Sequence, residues 1–165
     1  MSLVLSGNSG SLTVDSSAGI TFPSGSNPQA APSKVLQVVQ ATNNTQVTTS
    51  SGSYVAQGLS LSITPLFSTS KILLFWSGDT FINTAGTNPF VGIGRNGTVV
   101  YQSLMCYGGS STTGAAGSLI YLDSPATTSA TTYAIYIKIT GGSGTMYINQ
   151  DAVSQYSLTA MEIAQ

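Results

Sequence analysis

The chain has 165 residues, the length of one domain with room for an appendage, and 41% of them are hydrophobic, enough for a sizeable core. Only 5% are Asp, Glu, Lys or Arg and the formal net charge is −1, against about 25% charged residues in an ordinary soluble domain. Four scattered basic residues (Lys34, Lys71, Arg95 and Lys138) cannot neutralise a phosphate track, which argues against electrostatic nucleic-acid binding, and so weak a field steers no charged ligand.

The first 33 residues stand apart. "LVLSG", "LTVDSSAG" and "ITFPSG" each place apolar residues at i and i+2 before a small polar turn, and "PSGSNPQAAPS" over 23–33, with three prolines, reads as an extended linker. Such short strands cannot build a core alone, so residues 1–33 are expected either to pair with another chain or to wrap as an extended arm on a larger body, with residues 34–165 forming the folded domain. The N-terminus lacks a basic region followed by a long apolar one, so no signal peptide is expected. The longest apolar run, "ILLFW" at 72–76, falls far short of the roughly 20 residues a bilayer requires, so no membrane insertion is expected either.

From residue 58 onward the pattern is that of strands. "GLSLSIT" alternates, with Leu59, Leu61 and Ile63 on one face. "KILLFW" follows, then "FVGIGR" and "TVVYQ" around Asn96-Gly97. "GSLIYLD" comes next, and "TYAIYIKIT" puts Tyr133, Ile135, Ile137 and Ile139 on one face and Ala134, Tyr136 and Lys138 on the other. "TMYINQ" and "SLTAMEIAQ" complete the set. Turn signals separate them at Thr87-Asn88-Pro89, Gly108-Gly109-Ser110, Ser124-Pro125 and Gly141–Gly144. No amphipathic helix is evident, and many short strands with such punctuation predict an all-β antiparallel sandwich or barrel.

Gly92, Gly94 and Gly97 have the G-x-G-x-x-G spacing of a dinucleotide-binding turn, but that motif needs a helix after its last glycine. Here Gly97 leads into "TVVYQ", a strand, and Asn96-Gly97 reads instead as a type I′ hairpin turn. Gly92 and Gly94 then lie two apart on one strand face, where a neighbour or another subunit can approach closely. Arg95, the only arginine, is a solvated turn residue, a surface ion pair or an anchor at a subunit contact.

Chemistry is scarce. Histidine is absent, which removes the commonest general base and Ser-His-Asp arrangements. The carboxylates Asp15, Asp79, Asp123, Asp151 and Glu162 are far apart, and Asp79 in "SGDT" and Asp123 in "LDSP" read as turn residues rather than a catalytic pair. Glu162 is expected at a polar rim, with Lys138 or Arg95 as possible partners. Cys106 is alone and reads as a small buried hydrophobe. No cofactor, metal site or enzymatic activity is expected. Trp76 and the tyrosines, among them Tyr101, Tyr121, Tyr133, Tyr136 and Tyr147, suit core packing, a subunit interface or stacking on sugars, and Tyr107 beside "GGSSTTGAAG" is the candidate exposed contact.

The succession "SYVAQGLSLSITPLFSTSKILLFWSG", the "GRNGTVVY" hairpin, "GSLIYLDSPATTSATTYAIYIKI" and the final "SLTAMEIAQ" resembles small virion surface proteins of tailed bacteriophages, both tail-fibre tips and head-decoration proteins. More loosely it is similar to the jelly roll of complement-type and tumour-necrosis-factor-like trimers. The resemblance covers about residues 50–165, and the repeats before residue 33 look like the shaft or anchoring arm of a phage fibre. It implies a homotrimeric jelly roll in the virion, with Tyr136 toward a subunit contact and residues 1–33 bound to other virion proteins. Loops 84–89, 108–117 and 141–144 would then be free to meet a host glycan or protein. The alternative is a free, monomeric carbohydrate-binding module.

Overall fold

The computed structural model describes residues 34–110 and 112–165, so the expected arm over residues 1–33 lies outside the described residues. The described residues form ten strands: β1 (Val35–Asn43), β2 (Val47–Thr49), β3 (Val55–Ile63), β4 (Lys71–Ile82) and β5 (Asn88–Arg95), then β6 (Thr98–Leu104), β7 (Thr113–Asp123), β8 (Thr131–Thr140), β9 (Met146–Ile148) and β10 (Tyr156–Ile163). No helix occurs among them. The fold is the expected all-β antiparallel sandwich.

One sheet runs β1-β10-β4, with β7 on the far side of β4 and the short β9 and β2 continuing along β4 beyond β10. The other runs β3-β8-β5-β6. The pairings nest: β5 with β6 innermost, β4 with β7 around them, then β3 with β8, and β1 with β10 outermost. A hairpin wound on itself in this manner is a jelly roll.

The alternation seen in the sequence decides which faces meet. Leu59, Leu61 and Ile63 of β3 and Tyr133, Ile135, Ile137 and Ile139 of β8 are buried against Ile72, Leu74 and Trp76 of β4 and Leu158 of β10. Each such side chain withdrawn from water contributes about 1.5–3 kcal/mol, a driving force that needs no charge. The far end of β4 is also closely packed: a Cβ at Gly78 would lie 2.7 Å from the Trp76 ring. Asp79 therefore sits in mid-strand, since the small residue before it reflects packing against the indole and not a turn.

The Asn96-Gly97 turn is as expected, with φ of 48° and 89°. Asn96 also docks on β8, donating its amide N–H to the Thr132 carbonyl and accepting the Thr132 N–H on its side chain. Two expected loops are shorter than the sequence suggested. β5 takes in Asn88 and Pro89, and β7 takes in residues 113–117, because long pairing partners in β8 and β4 extend them.

Candidate assembly surface

The outward face of the β1-β10-β4-β7 sheet is read from its register. Val38 of β1 lies opposite Met161 of β10, Met161 opposite Leu73 of β4, and Leu73 opposite Leu122 of β7. Four apolar side chains thus form one continuous row across four strands. The next row holds Gln40, Thr159, Phe75 and Ile120, and the one after it Thr42, Ser157, Ser77 and Ser118. The surface grades from apolar to hydroxylic along the strands.

The apolar side chains of the first two rows are in large part open to solvent: Val38 is 55% exposed, Ile120 55%, Leu122 52% and Phe75 39%. Isolated exposed apolar residues are normal, but contiguous ones rimmed by polar side chains mark an interaction surface. No acidic or basic side chain falls in these three rows. A partner would have to be apolar in turn.

The sheets are tied together below this face. Asp123, at the end of β7, is buried and accepts hydrogen bonds from the Arg95 guanidinium of β5 at 3.0 Å and from the Tyr133 hydroxyl of β8 at 2.6 Å. Asp123 is therefore an inter-sheet anchor and not the turn residue its "LDSP" context suggested. Burial, then the hydrogen bond to Asp123, pushes the Tyr133 phenol far above its ordinary range, so it remains a donor. Asp79 and Asp123 do not meet: in the β4/β7 ladder they stand opposite Ala116 and Ile72, seven steps or about 23 Å apart.

Glu162 also departs from expectation. It is fully buried, with its side chain inward between β1 and the β3–β4 connection, where it accepts from the Gln37 amide at 2.6 Å and the Leu66 backbone N–H at 2.8 Å. Neither Lys138 nor Arg95 pairs with it. Strand parity explains the position, since Glu162 shares its face with Leu158 and Ala160. Burial pushes its carboxyl up, but the hydrogen bonds from Gln37, Leu66 and Phe67 outweigh this and leave it below the ordinary value.

The residues singled out in the sequence lie elsewhere. Arg95 is committed to Asp123 within the chain. Tyr136 is on the outer face of the other sheet, its ring against Gly94. Tyr107 is 77% exposed on the β6–β7 connection. That connection interlocks with its neighbours, Gly86 N–H donating to the Gly109 carbonyl at 3.0 Å and Gly108 N–H to the Asn88 side chain at 2.9 Å. Cys106 beside Tyr107 is half-buried, and burial raises its thiol pKa. The apolar row was not singled out in advance, although period-2 alternation in "KILLFW" and "SLTAMEIAQ" marks Leu73, Phe75 and Met161 as the face opposite the core.

No protein-family model matches the chain, and no curated protein matches it. Among solved structures it is similar to a VP2 point mutant of infectious bursal disease virus in T=1 particles, at 17% identity and a TM-score of 0.40, over 78% of this chain and 36% of that one. It is similar also to the infectious bursal disease virus Gt strain structure (16%, TM-score 0.40, 78% and 38%) and to the VP2 subviral particle of that virus (16%, TM-score 0.36, 78% and 38%). The chain spans little more than a third of those chains. A likeness this distant assigns no activity or partner.

Proposed function

We propose that this chain is a non-enzymatic structural protein of a virus particle, which self-assembles through the outer face of the β1-β10-β4-β7 sheet as a homotrimer. Residues 1–33 would attach it to other virion proteins. The observation that carries self-assembly is the apolar row Val38, Met161, Leu73 and Leu122, exposed at Val38 and Leu122 and half-buried at Met161 and Leu73, with the exposed Phe75 and Ile120 beside it. A second copy of the chain is the occupant this face fits: its first row is apolar, the one charge beside that row is Lys71, which donates to the Ser124 hydroxyl, and the protein has little charge for protecting its surface. Threefold symmetry and the virion setting are drawn from the element pattern described for the sequence.

Native mass in solution, at low and high salt, tests this. A species of three 16.9-kDa chains at both salts is the expected result, because apolar burial is not screened by ions. A monomer at both would overturn the assembly and leave the monomeric carbohydrate-binding module as the better reading. Labelling purified particles with an antibody against the chain then tests the virion assignment, and unlabelled particles would count against it.

A further inference from the structure

The outer face of the β3-β8-β5-β6 sheet has a different chemistry. Gly92 and Gly94 leave β5 bare on this side. A Cβ at Gly92 would lie 3.1 Å from the Tyr54 ring and 3.0 Å from Val99, and one at Gly94 would lie 2.4 Å from the Tyr136 ring. The two glycines thus admit two tyrosine rings, the close approach that their spacing suggested. Beside Tyr54 is an open depression lined by Tyr54, Val99, Val100, Tyr101 and Gln102. The Tyr54 hydroxyl donates to the Gln102 side-chain oxygen, and the Gln102 NH2 group has no acceptor among the described residues.

Lys138 completes the face. Its ammonium lies 4.4 Å from the centre of the Tyr54 ring and 5.3 Å from that of Phe90. No carboxylate pairs with it among the described residues, where the ion pair formed is Arg95–Asp123. A cation held over aromatic rings gains from their quadrupoles, yet its charge remains uncompensated.

We infer that this face is a binding site for a carboxylate-bearing oligosaccharide, such as one containing hexuronate. Tyrosine rings offer apolar surfaces to the faces of sugar rings, the Gln102 amide offers two donors to hydroxyl oxygens, and Lys138 offers the counter-charge to a carboxylate. The charge complementarity selects an acidic over a neutral sugar, and a single ammonium is too little for a polyphosphate backbone. The face belongs to the sheet opposite the apolar row, so the inference does not depend on the assembly proposed above.

Titrating the full chain with a hexuronate tetrasaccharide and with its carboxyl-reduced, neutral counterpart, followed by amide chemical shifts, tests this. The expected result is shifts on β5, β6 and β8, with the neutral sugar and the Lys138→Gln variant each binding about tenfold more weakly than the acid binds wild type. Tyr54→Phe, which removes only a hydroxyl, should lose less. Shifts absent at about 10 mM sugar, equal binding of the two sugars by wild type, or unchanged affinity in a folded Lys138→Gln would each overturn the inference. The comparison of the two sugars on wild type stands even if that variant does not fold.

Discussion

The two outer faces of the sandwich are built from the same period-2 strands and carry opposite kinds of surface. On the β1-β10-β4-β7 sheet the outward positions include an aligned aliphatic row, Val38, Met161, Leu73 and Leu122, with Phe75 and Ile120 in the row beside it, and four of these six are more than a third exposed. On the β3-β8-β5-β6 sheet they include Phe90, Gly92, Gly94, Gln102, Leu104, Tyr136 and Lys138, with tyrosine rings seated on bare backbone at the two glycines. The first face has a contiguous apolar row that grades into hydroxyl side chains, which suits a copy of itself. The second mixes aromatic rings with two polar groups that have capacity left, the Gln102 amide and the Lys138 ammonium, which suits a hydroxylated ligand with a carboxylate. In a protein with almost no charge, the distribution of aliphatic against aromatic and amide side chains does the work of dividing the surface.

The largest effect is expected from charging the first face. Ile120→Lys with Leu122→Lys should convert the assembled species to monomer by native mass, with the monomer still folded because both side chains are more than half exposed. Tyr136→Ala, on the second face, should leave the mass unchanged. Loss of assembly in Tyr136→Ala and retention in the lysine variant would reverse the assignment of the two faces.

Next comes the anchor between the sheets. Asp123→Ala leaves the Tyr133 hydroxyl buried without its acceptor and Arg95 without its partner, and should cost about 3 kcal/mol in urea unfolding. A cost below about 1 kcal/mol would mean that the sheets do not depend on this contact.

A smaller change is expected at the glycine floor. Gly94→Ala places a methyl group 2.4 Å from the Tyr136 ring and should cost about 1–3 kcal/mol. Most of that cost should vanish in the Tyr136→Ala background, where the ring is gone. Full additivity in this double-mutant cycle would show that the ring does not rest on the glycine.

The smallest effect is confined to acid. The Glu162 carboxyl is held below its ordinary value of 4.5 in the folded chain, so it supplies stability that is present above about 4.5 and lost as pH falls through the folded value. Wild type should therefore lose its advantage over Glu162→Gln between pH 5 and strong acid, while the difference between them stays constant from about pH 6 to 8. A difference that does not change on acidification would rule out an ionised Glu162 as the cause.

Much of this was legible in the chain itself. Alternation in "GLSLSIT" and "TYAIYIKIT" identified the inward faces of β3 and β8 correctly, because side-chain direction in a strand is a local property of the backbone. Asn96-Gly97 announced its turn for the same reason: two consecutive positive φ angles are a demand on those two residues alone. The failures are those of long-range pairing. "SGDT" has turn composition, but Gly78 answers to Trp76 and Tyr156. Glu162 looks like a rim residue until parity turns it inward to meet Gln37 and the Leu66 and Phe67 amides.

By itself the sequence determined an all-β sandwich, its inward apolar faces, its hairpin and its nearly uncharged surface, each of which follows from backbone periodicity or composition. Tertiary structure alone decided that Val38, Leu73, Leu122 and Met161, drawn from four strands, stand in one row, and that Arg95, Asp123 and Tyr133 converge between the sheets. Alternation states which side of its own strand a residue takes. Which residues of other strands lie beside it is settled by register, and register is set jointly by every pair in the ladder.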